Sequence, residues 1–197
     1  DIVEEWFIDK HLFHFSARTL SRMIEAAGFT IIEQNDPADA INLLFVARKA
    51  DAQARTAAAD PAEVAAAMAL MNRYQHTRAR NLAALETAAR ELNALKPKRV
   101  ALWGAGRLFD LLVREGGFDP KSLALLIDAH LIKHMGERHG VRLSQPDALN
   151  DGAADVVVVM SRGFAAEISD QVRARAPHAE IILFADLLGR ARLGRAA

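Results

Sequence analysis

The chain has no cysteine among its 197 residues, which excludes a disulfide framework, a thiolate metal site and a cysteine nucleophile. Its single tyrosine, Tyr74, is followed at the i+4 position by Arg78, so the Tyr-x-x-x-Lys dyad of one large class of hydride-transfer enzymes is missing. Net charge is missing as well. The 25 Lys and Arg balance the 25 Asp and Glu, leaving no global field to attract nucleic acid or an anionic membrane. No apolar run approaches the ~20 residues needed to span a bilayer. The opening residues lack the charged-then-apolar pattern of a secretory signal. These absences lead to the expectation of a cytoplasmic protein. Asp in place of Met at position 1 adds the expectation that the chain begins partway through a longer protein.

What is present is ample apolar material, 51% of residues, enough for one large or two small cores. Ser16 stands where an N-cap belongs, ahead of Leu20, Met23 and Ile24 at helical spacing, and Gly28 closes that helix. Phe29–Glu33 and Ile41–Ala47 read as two strands around the turn-rich Asn35-Asp-Pro-Ala-Asp loop. One helix and two strands cannot close a core, because three or more covered strands are normally required. The segment must pack on something else, which leaves room for a homodimer. After an alanine-rich linker, Asp60-Pro61-Ala62-Glu63 is a strong helix start, and the helix can run to about Leu95. Val64, Met68, Met71, Leu82, Leu85, Ala89 and Leu92 form its apolar stripe.

From Val100 onward, apolar strands alternate with helical segments. Val100–Trp103, Leu123–Asp128, Asp155–Met160 and Glu180–Phe184 are the strands, with helices over Leu108–Glu115 and Phe164–Ala176. That alternation predicts an α/β domain with a parallel, Rossmann-like sheet over residues 99–188. Its first strand runs into Gly104-Ala-Gly106 and then straight into a helix. Such a turn lets backbone approach a ligand and aims the unpaired N–H groups of a helix at it. Asp128 falls about twenty residues further on, where a dinucleotide site places its acidic ribose ligand. Gly104, Ala105, Gly106 and Asp128 are therefore candidate ligand-binding residues. Two other accounts stay open: the third glycine of the fingerprint is replaced by Phe109, and an Asp at a strand end also caps the following segment. His130, His134 and His139 cluster near Glu137, but Lys133 and Arg138 among them repel a cation. No metal site is assigned. Those positive side chains could instead lie over a phosphate.

The pattern His11-Leu-Phe-His-Phe-Ser-x-x-Thr-Leu, then Glu25-Ala-Ala-Gly-Phe29, then Phe45-Val-Ala-Arg-Lys49, resembles the C-terminal end of a class I S-adenosylmethionine-dependent methyltransferase. The long helix and trailing Rossmann-like domain are similar to the order found in sugar C-methyltransferases. Asp128, Lys133 and Gly136 resemble the Asp, Lys and Gly after that domain's second strand, and Pro146-Asp-Ala-Leu149 its Pro-Glu-x-Leu. The resemblance implies that His11 is the catalytic base or a positioning group. It also implies that S-adenosylmethionine binds in the intact protein, at a site not in this chain. Lys10 and Ile8 stand where that family has Glu and Tyr, which leaves the acceptor open.

The combined expectation divides the chain into four parts. Residues 1–50 end a methyltransferase sheet with a helix and β-hairpin, 51–98 are a linker and bridging helix, 99–188 are the accessory domain, and 189–197 are a tail. The accessory domain would position a small-molecule substrate, nucleotide-sugars included, through a nucleotide held at Gly104–Gly106. The alternatives are a non-catalytic nucleotide- or nucleotide-sugar-binding module and an NAD(P)-dependent oxidoreductase domain.

Overall fold

The computed structural model describes residues 13, 15–36, 42–50 and 60–193. The chain divides into two compact units, with the boundary between Asn72 and Arg73. His11 lies outside the described residues.

The N-terminal unit contains α1 (Ala17–Ala26), β1 (Phe29–Gln34), β2 (Phe45–Lys49) and the first turns of α2 (Pro61–Asn93). Ser16 caps α1 reciprocally with Thr19, as its position suggested, and Gly28 follows at φ 86°. β1 and β2 pair antiparallel, with an irregularity between Ile31 and Glu33 that leaves Ile32 as the extra residue. Asp60 starts α2 by accepting the Ala62 N–H at 2.9 Å. Arg22 lies 2.8 Å from Glu63 across the α1–α2 gap. No described residue of 13–72 is buried, and Phe13, Ile32 and Leu44 are among the most exposed apolar side chains.

The C-terminal unit adds β3 (Val100–Trp103), α3 (Arg107–Arg114), β4 (Leu125–Ile127), β5 (Glu137–Arg138), β6 (Val141–Ser144), β7 (Val156–Val159), α4 (Ala165–Arg175), β8 (Glu180–Leu183) and α5 (Phe184–Leu193). The sheet order is β5-β6-β4-β3-β7-β8. Every pairing is parallel except β5 with β6, so the sheet is mixed rather than wholly parallel. The five parallel strands follow the order of a doubly wound sheet, compatible with a Rossmann-like α/β fold. The antiparallel edge is a tight hairpin. His139 and Gly140, at φ 49° and 74°, form its two-residue turn. No strand signal marks Glu137–Arg138, because a two-residue strand is too short to show alternation.

Side chains alternate across the sheet with period two. Val100, Leu102, Leu126, Val156 and Val158 face a layer built from the second half of α2, α3 and α5. Ala101, Trp103, Ile127, Val157 and Val159 face α4 and the short helical turn at Pro146–Gly152. The α2 stripe is thus split in its surroundings: Val64, Met68 and Met71 are exposed, whereas Leu85, Ala89 and Leu92 are core. Backbones come close here. A Cβ at Gly116 would lie 3.2 Å from the Leu85 carbonyl oxygen and 2.6 Å from that of Leu112. The C-terminal boundary also differs from expectation. Phe184 begins a helix rather than ending a strand, and Phe184, Leu187, Leu188 and Ala191 bury one face of it. Residues 189–193 therefore belong to the core-covering layer and not to a tail.

The edges where β3 and β7 begin are tied by charge. Arg99 donates to Asp155 from its backbone N–H at 2.8 Å and from its guanidinium at 2.6 and 3.2 Å. The Arg99 hydrogen bonds hold the Asp155 carboxyl at about 2. A carboxylate depressed in the folded state stabilises fully above its unfolded pKa, and that contribution disappears as pH falls through the folded value. The melting-temperature advantage of the wild type over Asp155→Asn should therefore be full above about pH 4 and close toward pH 2; a gap independent of pH would refute the assignment. Leu85→Ala should cost about 2–5 kcal/mol in urea unfolding, whereas the exposed Glu91→Ala on the same helix should stay within about 0.5 kcal/mol.

Candidate functional site

In a doubly wound sheet, ligands bind beyond the carboxyl ends of the strands, where the strand order reverses. Here that point lies between β3 and β7, since the chain builds from β3 toward β4 and β6 on one side and toward β7 and β8 on the other, and the chain leaving β3 there is Gly104-Ala-Gly106. The turn is fixed from both sides. Gly104 donates to the Ile127 carbonyl at 2.8 Å, and Met160 donates to the Trp103 carbonyl at 2.9 Å. Gly104 has φ 116°, a conformation L side chains rarely adopt, and a Cβ there would lie 3.0 Å from Met160 Cβ. At Gly106, by contrast, a Cβ would meet nothing within 4 Å. Gly104 answers to the fold, and Gly106 opens the crevice.

Asp128 is brought to the turn, in a specific way. Its Oδ2 accepts the Ala105 N–H at 2.9 Å, while Oδ1 accepts those of His130 and Leu131 at 3.0 and 2.9 Å. One carboxylate thus braces the loops that follow β3 and β4, and it also performs the local capping that an Asp at a strand end can provide. Both oxygens are engaged by backbone, which restricts what a ribose could take from them. Among the described residues, nothing is hydrogen-bonded to the N–H groups of Gly106, Arg107 and Leu108 at the start of α3. Those three are the donors a ligand would meet.

Phe109, at the third position of the glycine fingerprint, is fully buried and meets His139 edge-on at 5.5 Å. The next residue, Asp110, collects the hairpin. Arg138 binds both of its oxygens through Nε and Nη2, and His139 Nε2 lies 2.8 Å from Oδ1. Burial pushes the Asp110 carboxyl upward, but the hydrogen bonds from Arg138 and His139 outweigh it and hold the pKa below its usual range. Arg138 is therefore committed to Asp110 and does not lie free over a phosphate. Among the described residues no group of three His, Cys, Asp or Glu is arranged to hold a metal ion.

Sequence reasoning missed the opposite wall of the crevice. Met160-Ser161-Arg162-Gly163-Phe164 links β7 to α4, and its Met160 and Ser161 lie against Gly104. Ser161 Oγ accepts the Phe164 N–H at 3.2 Å, closing a small turn. Phe164 stays 65% exposed, an unusual state for a large aromatic beside a core strand. The available signal was a glycine just after a fully buried Val run, the same punctuation seen after β3.

No family model matches this chain, and comparison with curated proteins finds no match. No helix among the described residues is long and apolar enough to cross a membrane.

The brace has a measurable consequence. Asp128→Asn replaces one acceptor oxygen by a donor facing an N–H, which should cost about 1–3 kcal/mol and speed hydrogen exchange at Ala105. Unchanged exchange at Ala105 would mean that the carboxylate does not hold the turn.

Proposed function

We propose that residues 73–193 form a ligand-binding Rossmann-like module that holds a small, nucleotide-linked substrate at the Gly104–Gly106 turn. We further propose that the module serves an S-adenosylmethionine-dependent methyltransferase as its accessory domain. The observation that carries the first part is the set of three unengaged N–H groups at Gly106, Arg107 and Leu108, located where the strand order reverses. A helix N-terminus of this kind favours negative charge. The exposed Phe164 offers an apolar face in the loop that follows β7.

The methyltransferase part rests on the resemblance carried by His11, Phe15-Ser16, Thr19-Leu20 and the strand pair that follows, together with the order of the units. In that reading His11 acts on the acceptor as base or positioning group, and S-adenosylmethionine supplies the methyl group from a site outside this chain. The accessory module contributes substrate orientation, which lowers the barrier by fixing the reacting atoms near one another. A non-catalytic nucleotide- or nucleotide-sugar-binding module is the second reading, favoured by the same crevice without any contribution from His11. The NAD(P) reading is weaker. Phe109 fills the position where a glycine would allow close helix–strand packing, and the Asp128 oxygens are already bonded to backbone.

Thermal unfolding of the chain with nucleoside diphosphate sugars or NAD(P) separates these readings. Ligand at a hundred times its Kd adds about 2.7 kcal/mol of stability. Stabilisation by the nucleotide sugars and not by NAD(P) is the expected result, and the reverse would favour the oxidoreductase. Gly106→Ser supplies a hydroxyl that caps the free N–H groups in place of the ligand. It should leave the unliganded melting temperature equal or higher while abolishing the ligand-induced rise; an undiminished rise would move the ligand away from this turn.

A further inference from the structure

From Val64 to Asn72, α2 carries no charged side chain: Val64-Ala-Ala-Ala-Met68-Ala-Leu70-Met71-Asn72. Every residue from 64 to 73 is nevertheless exposed, with Val64, Met68, Leu70 and Met71 at 43–58%. Alanine, methionine and leucine are strong helix formers, which accounts for the helix but not for its solvation. A helix with apolar side chains all round belongs in a protein interior. Val64, Met68 and Met71 stand four and then three residues apart, the spacing of a coiled-coil seam. The same alternation runs on through Gln75 and Arg78 to Leu82, Leu85, Ala89 and Leu92. Leu85, Ala89 and Leu92 are buried in the core, so one seam is filled at its end and open at its start. Ala65 and Ala67 flank the open part, small enough for a second helix to come close.

We propose that the occupant of the open seam is a second copy of this chain, with residues 64–75 of α2 pairing antiparallel with the same residues of the other copy across a two-fold axis. A partner for this surface must be a helix with a short exposed seam and small flanking residues, and the segment meets its own requirement. Charge sets the direction. Arg73, His76, Arg78 and Arg80 follow the uncharged stretch, while Asp60 and Glu63 precede it and are bonded to Arg18 and Arg22. A parallel pair would set two basic ends side by side. The antiparallel pair sets each basic end against the other copy's carboxylates, and it opposes the two helix dipoles favourably. Met68 of one copy then meets Met71 of the other, and Val64 meets Gln75 at each margin. Four such layers over ~17 Å of helix fall short of the ~800 Å² per partner typical of a stable complex. The dimer is therefore weak and concentration-dependent. It stands independently of the methyltransferase and nucleotide readings.

The test follows the full chain by sedimentation velocity over about a hundredfold range of concentration. The sedimentation coefficient should rise toward that of a dimer. Met68→Glu should hold it at the monomer value while leaving the circular-dichroism spectrum unchanged. Leu193→Glu, which replaces an exposed apolar side chain of α5, should dimerise like the wild type. Because the chain has no cysteine, introduced thiols report the direction of pairing. With diamide as oxidant, Met68→Cys mixed with Met71→Cys should form the mixed disulfide several-fold faster than either variant forms its own. A monomer at every concentration, or a dimer indifferent to Met68→Glu, overturns the interface. Faster disulfides between like variants, or growth past the dimer into open polymers, overturns the antiparallel two-fold pairing.

Discussion

Two strands, β3 and β7, are buried on both faces, and most of the C-terminal unit follows from that constraint. Their residues Val100–Trp103 and Val156–Val159 carry no polar side chain, and each residue is buried. A strand without a wet face needs a layer on either side. On one side the layer is α4 with the 146–152 turn; on the other it is α3, α5 and the second half of α2. Backbone polar groups of such strands must find partners within the sheet. Flanking parallel strands supply them on both edges, β4 beside β3 and β8 beside β7.

The same constraint produces the crevice. Because the chain builds outward in both directions from β3, the loops after β3 and β7 diverge at their carboxyl ends, and the space between them is not filled by a crossover helix. What the sequence places there is permissive backbone: glycines at 104, 106 and 163, with a carboxylate bracing one loop and a serine turn closing the other. Asp128 and Asp110 would oppose an anion at the α3 N-terminus if their charges were free. One is spread over three N–H groups and the other is compensated by Arg138. The local field is thereby left to the helix end.

The N-terminal unit presents the opposite case. Its caps are well formed and its apolar side chains are plentiful, yet none of its described residues is buried. Local signals can complete a helix and a strand pair without completing a core, because burial needs a second layer that two strands cannot provide for themselves. The proposed role as the end of a larger catalytic sheet is one way in which that layer would be supplied.

Read alone, the sequence determined those features that arise from short-range physics. The Ser16 cap, the start of α2 at Asp60-Pro61, the four-residue apolar strands and the glycine turn at 104–106 were all legible, since each depends on neighbours a few residues away. The length of α2 was legible too; its division into exposed and buried halves was not, because burial is decided by α3 and α5, which arrive later in the chain. Tertiary structure alone decided that Phe184 begins a helix, that Arg138 and His139 turn back onto Asp110, and that Asp128 spends its oxygens on backbone. Periodicity reports which face of an element is apolar, but which residues meet across space is fixed only when the strand order is set.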